Sequence, residues 1–191
     1  MNATKRALRR MRRELLETRE ALAKSNREAR TDDLTGLWNK RAWRESIVAC
    51  TGAGITFSVV LFDLANLKAA NRALGHEQAD WLLRDVCRHI RSGDQVGHRI
   101  GGDEFAVLLP NVDRDDALLV RDRIESAVGL RPLRAGLDVF LVGDVLTWTP
   151  HGPSITALLT RADFDLEQRK REKKRALGQP ESREAALQLL G

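Results

Sequence analysis

A glycine pair between two apolar runs constrains the fold of this chain more than any other feature. The stretch Gly101-Gly102-Asp103-Glu104 directly precedes the apolar residues 105–109, which end at Pro110. Adjacent glycines permit a tight hairpin, because glycine adopts backbone conformations that other residues avoid. Residues 96–100 are compatible with a short strand before the glycines. An antiparallel pair is therefore predicted at this point.

A second apolar run, residues 55–62, is rich in β-branched and aromatic residues and predicts a buried strand that ends at Asp63. A further strand region is predicted over residues 137–148. Helical periodicity predicts helices over residues 66–74, 77–91, 113–128 and 155–175, and one that starts near 39. Because the hairpin lies between helical units, the order of elements predicts an α+β fold with antiparallel strand pairs rather than a doubly wound parallel sheet.

The first thirty residues contain neither glycine nor proline and predict one long helix. A seven-residue repeat runs along this helix, with companion positions that turn polar: Leu8, Leu15, Leu22 and Ala29, with Met11, Thr18 and Ser25. This spacing is typical of a coiled-coil seam, so residues 1–31 are predicted to form a homodimerisation helix. The alternative is a solvated helix that packs on its own domain. Residues 32–176 are predicted to form one domain, and residues 177–191 a tail with a short helix.

The net charge of +5 lies at the ends of the chain. Residues 1–31 carry ten Lys and Arg against four Asp and Glu, whereas residues 32–160 carry fourteen against seventeen. An acidic middle favours bound cations and argues against a duplex-binding face. A nucleic-acid partner is therefore not expected.

The two cysteines, Cys50 and Cys87, form neither a disulfide framework nor a zinc-binding pattern and fit a reducing compartment. No apolar stretch approaches the roughly 18 residues of a membrane span, and no signal peptide is recognisable. The sequence thus predicts a soluble, cytoplasmic protein with no membrane partner.

Three carboxylates are predicted to meet at one end of the sheet. If the hairpin pairs beside the strand before Asp63, then Asp63, Asp103 and Glu104 converge and repel one another. Mg²⁺ or Mn²⁺ relieves such repulsion, and two ions with a triphosphate activate a hydroxyl for attack. Alternation along a strand favours Asp103 as the direct ligand and Glu104 as a supporting one. The alternatives are a helix-capping Asp63 and an ordinary hairpin.

The same residues resemble the signature of the GGDEF family. Besides Gly101-Gly102-Asp103-Glu104-Phe105 with Arg99 before it, the ordered matches are residues 33–37 with Asn39 and Arg41, residues 62–71, Gly75-His76 with Asp80, and residues 158–163. They extend over about 33–175, so the chain is identified as a member of this family. The resemblance implies a central sheet like that of nucleotide cyclases and polymerase palms, with mostly antiparallel strands flanked by helices.

The resemblance also implies an activity. The family includes diguanylate cyclases, which join two GTP molecules into cyclic di-GMP and release two pyrophosphates across a dimer. By this resemblance Asp63, the carbonyl of Leu64 and Asp103 would hold Mg²⁺, and Asp103 would also accept the ribose hydroxyl proton. Glu104 is the second candidate catalytic carboxylate. The backbone of Gly101 and Gly102 would approach the phosphates.

The remaining matches imply substrate contacts. Asn71, His76 and Asp80 would read guanine, since an amide and a carboxylate complement its donors and acceptor. Lys170 and Lys174, four residues apart on one helix, would bind the phosphates. A solvated basic face is the alternative for these lysines.

Some positions depart from the family pattern. Ala65 replaces a common second Asp, and Arg72 stands where an Asp often follows the guanine-reading Asn. Both changes make the pocket less negative and predict weaker Mg²⁺ binding. Arg91 and Asp94 have the form of the family's inhibitory product site, although one extra residue separates Asp94 from the signature.

Two functions from different classes follow. The first is an active diguanylate cyclase that dimerises through its N-terminal helix. The second is a catalytically weak or inactive GGDEF domain that binds GTP or cyclic di-GMP and regulates another process. Ala65 and Arg72 favour the second, whereas the complete signature favours the first.

Overall fold

The computed structural model describes residues 3–91, 95–133 and 136–188. It contains two compact units, Met1–Thr31 and Asp32–Gly191. The first is a single helix, α1 (Ala3–Glu28). Four of its predicted seam residues are more than half exposed: Leu8, Met11, Leu15 and Leu22. Ala29, the last residue of the predicted repeat, lies beyond the helix end.

The second unit is built on an antiparallel sheet. Its described strands are β1 (Phe57–Ala65), β2 (Val96–Arg99), β3 (Glu104–Pro110), β4 (Leu130–Pro132) and β5 (Asp138–Trp148). They are arranged in the order β2-β3-β1-β5-β4, and every neighbouring pair is antiparallel. The predicted α+β class with antiparallel pairs is confirmed.

Helices cover both faces of this sheet. They are α2 (Lys40–Gly52), α3 (Leu67–Leu74), α4 (His76–Ile90), α5 (Arg114–Val128), α6 (Ile155–Ala176) and α7 (Arg183–Gln188). Polar side chains begin three of them by accepting backbone N–H bonds: Asn39 for α2, Asp113 for α5 and Ser154 for α6. No helix in the described part of the chain is both long and apolar enough to cross a membrane.

The core follows the alternation of side chains along the strands. In β1, Val60, Phe62 and Leu64 pack against α3, α4 and α5, whereas Val59 and Leu61 pack against α2 and α6. Asp63, two residues after Leu61, therefore belongs to the face that α6 covers.

The structure differs from the sequence prediction at two strands. β1 continues through Ala65, so Asp63 lies inside the strand rather than at its end, because β3 and β5 both provide pairing partners there. β4 was not predicted. It is a three-residue edge strand that ends in proline, too short to show an alternating pattern.

Candidate functional site

Strand pairing brings the predicted carboxylates together. Asp63 of β1 lies directly opposite Glu104 of β3, so both residues belong to the same face of the sheet. Asp103 comes just before β3, and its carbonyl oxygen accepts a hydrogen bond of 2.8 Å from the Leu64 N–H. The alternation argument did not apply to Asp103, because this residue lies outside the strand. The three acids and the Leu64 backbone thus meet at one end of the β1–β3 pair.

Lys170 of α6 provides a positive charge at this point. Its Nζ lies 2.7 Å from Oδ1 of Asp63. Burial raises the pKa of Asp63; Lys170 opposes this shift, and repulsion from Asp103 and Glu104 adds to it. The fold therefore places a poorly solvated carboxylate where a cation stabilises its charged form.

Two cavities meet at Lys170. The larger, of about 530 Å³, lies between α2 and α6 and contains Asp63, Glu104 and Lys170 in its wall. The smaller, of about 230 Å³, is lined by Asn66 of the β1–α3 turn and residues 67–69 at the start of α3, together with Asp103, Lys170 and Lys174. Lysines on the wall of the smaller cavity make it suited to an anion.

Lys174 is almost wholly buried, with 5% of its surface exposed. Its Nζ donates a hydrogen bond of 3.4 Å to the Glu181 carbonyl. Burial lowers the pKa of Lys174, and repulsion from Lys170 adds to this effect. Two ammonium groups on successive turns of α6 are therefore held close enough to interact.

The signature turn is tightly closed. The N–H groups of Ile100 and Gly101 both donate to the Glu104 carbonyl, at 2.9 and 3.3 Å. A Cβ on Gly101 would lie 2.2 Å from Oε2 of Glu104, so a larger residue here would displace the Glu104 carboxylate. A Cβ on Gly102 would meet nothing within 4 Å, which leaves space for a ligand to approach the backbone.

Arg99 connects this turn to the segment that follows α1. Its guanidinium donates to the Gly102 carbonyl at 2.7 Å and to Oδ1 of Asp32 at 3.2 Å. Asp32 also accepts hydrogen bonds from the N–H and hydroxyl of Thr35. Sequence reasoning noted Arg99 but assigned no role to this connection, since the contact joins residues 67 positions apart.

The sequence relationship agrees with this geometry. A family model described as "Diguanylate cyclase, GGDEF domain" matches residues 29–176. The chain belongs to the GGDEF family.

Three similar proteins illustrate the range of this family. The diguanylate cyclase VdcA of Vibrio cholerae is 30% identical over 78% of this chain and 47% of its own length. PdeR of Escherichia coli, named as a cyclic di-GMP phosphodiesterase, is 37% identical over 78% of this chain and 24% of its own. The chain thus spans about half or less of these relatives. The crystal structure of diguanylate cyclase SiaD of Pseudomonas aeruginosa, in complex with its activator SiaC, has a TM-score of 0.70 at 25% identity. That match covers 88% of this chain and 68% of the SiaD chain.

The expected guanine-reading residues of this GGDEF domain lie on both sides of the turn at Gly75. Asn71 is a half-buried residue of α3 whose Nδ2 donates to the Leu67 carbonyl at 3.2 Å. His76, exposed, begins α4, and Asp80, half-buried, lies one turn later. They are separate from the walls of the two cavities described above.

The apolar surroundings of Ala65 explain one departure from the family pattern. It is fully buried against Phe140, Val142, Leu166 and Leu177. A carboxylate at this position would lose its hydration among apolar side chains. Arg72, the other departure, is exposed on α3.

The predicted inhibitory product site is only partly described. Arg91 follows the last residue of α4, and its guanidinium lies against Gly36. Asp94 lies outside the described residues, so the pairing of the two residues stays a prediction.

The acidic end of β1 and β3 suits a divalent metal by its donor chemistry. Among the described residues, no group of three or more Asp, Glu, His or Cys side chains is already arranged around a common metal position. However, Asp63, Asp103 and the Leu64 carbonyl offer oxygen donors, which are the ligands that Mg²⁺ prefers. The residues therefore fit a divalent ion, and the Lys170 ammonium neutralises Asp63 in this structure.

Proposed function

We propose that this GGDEF domain is a diguanylate cyclase, which condenses two GTP molecules into cyclic di-GMP and two pyrophosphates. The observation that carries the proposal is the convergence of Asp63 with Asp103 and Glu104, next to a cavity lined by Lys170 and Lys174. Folding alone gains nothing from three converging carboxylates, because like charges repel. Binding of a metal ion with a triphosphate would account for this arrangement, because the cation offsets the repulsion between the carboxylates. Since GTP is the substrate, we expect the reaction in the cytoplasm.

Asp63, Asp103 and the Leu64 carbonyl would hold the metal, with Mg²⁺ or Mn²⁺ as the ion. When bound, the metal would supply positive charge that neutralises the charge developing on the phosphates. Lys170 and Lys174 would hold the phosphate oxygens, and the backbone at Gly101 and Gly102 would lie along them. Lys170 lies 2.7 Å from Asp63 here and would turn to the phosphates when the metal is bound.

Asp103 would accept the proton of the attacking ribose 3′-hydroxyl. It belongs to the turn before β3 and lines the same cavity as the lysines, so it can face both hydroxyl and phosphate. Glu104 would support this step from the wall of the larger cavity. Asn71, His76 and Asp80 would read the guanine, because a carboxylate and an amide match its edge and leave adenine without partners.

The reaction requires two domains that face each other, each with one GTP. The exposed Leu8, Met11, Leu15 and Leu22 of α1 support a homodimer in which two copies pair through this helix. Pairing would raise the effective concentration of one GTP-loaded domain for the other. Arg91 and Asp94 would bind the product cyclic di-GMP and limit its synthesis.

The proposal is tested by incubating the full chain with GTP and Mg²⁺ and measuring cyclic di-GMP and pyrophosphate. We expect one cyclic di-GMP for every two pyrophosphates, and no product from the Asp103→Asn variant. Absence of product at high protein concentration, with GTP binding intact, would contradict cyclase activity.

Two observations favour a second function, a domain that binds GTP or cyclic di-GMP without turnover. The Lys170 ammonium already neutralises Asp63, and Ala65 removes a further carboxylate. A binding module would show saturable nucleotide binding that does not depend on the divalent metal. The same incubation separates the two functions when it is combined with a binding titration in the metal chelator EDTA.

A further inference from the structure

The C-terminal segment, residues 177–188, forms one wall of the cavity that contains Asp103, Lys170 and Lys174. Ala186 and Leu187 of α7 line this cavity. Ala186 is 2% exposed and packs in a small cluster with Ala69 and Leu137. The segment is thus packed against the start of α3 rather than extended into solvent.

Gln179 of the C-terminal segment makes side-chain hydrogen bonds to two other parts of the chain. It is 5% exposed although it is polar. Its Oε1 accepts a hydrogen bond of 2.9 Å from Nδ2 of Asn66, and its Nε2 donates one of 2.8 Å to Oδ2 of Asp138. Nδ2 of Asn66 also donates to the Asp138 carbonyl at 2.8 Å. Three residues from distant parts of the chain therefore form one closed hydrogen-bond network.

Asn66 forms the turn between β1 and α3 in an unusual conformation. Its φ is +64°, in the left-handed region that few non-glycine residues adopt. Such a conformation persists when the surrounding structure holds it. The hydrogen bonds to Gln179 and Asp138 supply that constraint, because the Asn66 side chain makes no capping bond to α3. Residues 67–69, which follow directly, line the smaller cavity, the one that contains Asp103, Lys170 and Lys174.

The C-terminal segment also orients Lys174. The Lys174 ammonium donates to the Glu181 carbonyl, and the Gln179 N–H donates to the Lys174 carbonyl at 2.9 Å. Both sides of the cavity, the β1–α3 turn and the lysine side of α6, are therefore joined through residues 179–181.

We propose that Gln179 is a positioning residue for the triphosphate: through Asn66 it fixes the turn that forms one side of the phosphate cavity. The inference rests on the proposed function, in which this cavity takes the phosphates of GTP. Gln179 is not among the residues that line this cavity. Its loss would leave the turn free to move, and small displacements of a binding group have large effects on a charged ligand.

The test measures how tightly the full chain binds a GTP analogue with a methylene bridge between the α and β phosphates, in the presence of Mg²⁺. For Gln179→Ala we expect about tenfold weaker binding by calorimetry and a matching rise in KM for GTP, with kcat little changed. Gln95→Ala is the matched control. The Gln95 side chain is also half-buried and makes one hydrogen bond, to the Ile90 carbonyl at 2.7 Å, away from the cavity.

A reciprocal substitution separates positioning from a loss of packing. Gln179→Glu alone would set a carboxylate against Asp138 and weaken binding at least as much as Gln179→Ala. Adding Asp138→Asn restores a donor opposite the new carboxylate. We therefore expect the double variant to bind within about twofold of the unmodified chain. Thermal unfolding is measured for every variant to check that each one is folded.

Two results would overturn the inference, and a third would contradict the proposed function instead. Unchanged binding in Gln179→Ala would overturn the inference. So would a folded double variant that binds no better than Gln179→Glu. An unmodified chain that fails to bind the analogue at all would instead contradict the proposed function.

Discussion

Asp63 in β1, half-buried, and Asp144 in β5, buried, are two acids on the same face of one sheet, yet their surroundings differ. Burial raises the pKa of both carboxyls. Asp63 meets two further acids, Asp103 and Glu104, and one ammonium. Asp144 instead lies near the guanidinium groups of Arg114 and Arg169 and one acid, Asp165. Each residue also lines a cavity, of about 530 Å³ for Asp63 and 370 Å³ for Asp144.

The difference teaches which feature indicates chemistry. A buried acid beside arginines has its charge compensated in part by its own neighbours. Several acids that converge on one point retain unbalanced negative charge, which a bound cation would neutralise. Burial and a cavity are shared by both sites, so they do not separate a reactive site from a structural one. The number of like charges that converge on one point separates the two kinds of site.

The largest expected effect concerns these two acids directly. Asp63→Asn removes a proposed metal ligand and should lower the rate of cyclic di-GMP synthesis by about 10³-fold or more. Asp144→Asn is the matched control and should retain most of the activity, because Asp144 lies outside the proposed site. Initial rates at saturating Mg²⁺ provide the measurement. Equal losses in the two variants would contradict the distinction between the sites.

Ala65→Asp tests whether the acidic end of β1 tolerates another carboxylate. The family often has an acid here, but in this chain the position is enclosed by Phe140, Val142, Leu166 and Leu177. An unpaired charge in these surroundings should reduce the free energy of unfolding by about 3 kcal/mol. Urea unfolding measures the change. A variant that is as stable as the unmodified chain and binds Mg²⁺ more tightly would show that a cation reaches this position.

Much of this comparison could be foreseen from the sequence, and some could not. The apolar run before Asp63 and the glycine pair before Asp103 predict a strand and a hairpin, and the acids converge on the condition that the two pair side by side, as they do in the structure. The direct pairing of Asp63 with Glu104 depended on register, which is set by contacts between distant strands. The roles of Asp32, Asn66 and Gln179 depend on hydrogen bonds across 67 to 113 positions, which no local pattern encodes.

His98 adds a third buried titratable group to the comparison, without charged partners. It is fully buried in β2, edge-on to Trp43 at 5.3 Å between ring centres. Burial lowers the pKa of His98 to about 4 from its usual 6.5. The fold therefore favours the neutral ring, and the unfolded chain binds the extra proton more readily between these values. The contribution of His98 to the free energy of unfolding should be fully present above pH 6.5. It should be lost as the pH falls towards 4, a decrease of about 3 kcal/mol in total.

The free energy of unfolding measured at several pH values tests this prediction. His98→Gln should flatten the curve between pH 4 and pH 6.5. His151 does not belong to the buried core, so His151→Gln serves as the control and should leave the slope as it is. A slope that survives in His98→Gln would assign the acid sensitivity to other groups.

The smallest expected effect lies at the edge of the acidic site, where Arg99 holds the signature turn against Asp32. Arg99→Gln removes the charged bridge to Asp32 and weakens the contact to the Gly102 carbonyl, so Asp103 would be less well positioned. We expect about a tenfold lower kcat with little change in KM. Asp32→Asn should have a smaller effect, and the double variant should be no worse than Arg99→Gln, because both residues act through one contact. Arg88→Gln is the matched control: Arg88 also pairs with an aspartate, Asp85, but it lies in the last turn of α4, away from the proposed guanine-reading residues at the start of that helix. Additive losses in the double variant would mean that Asp32 and Arg99 support the turn independently. The contact between them would then not distinguish the acidic site from the surroundings of Asp144, and only the charges of the two sites would differ.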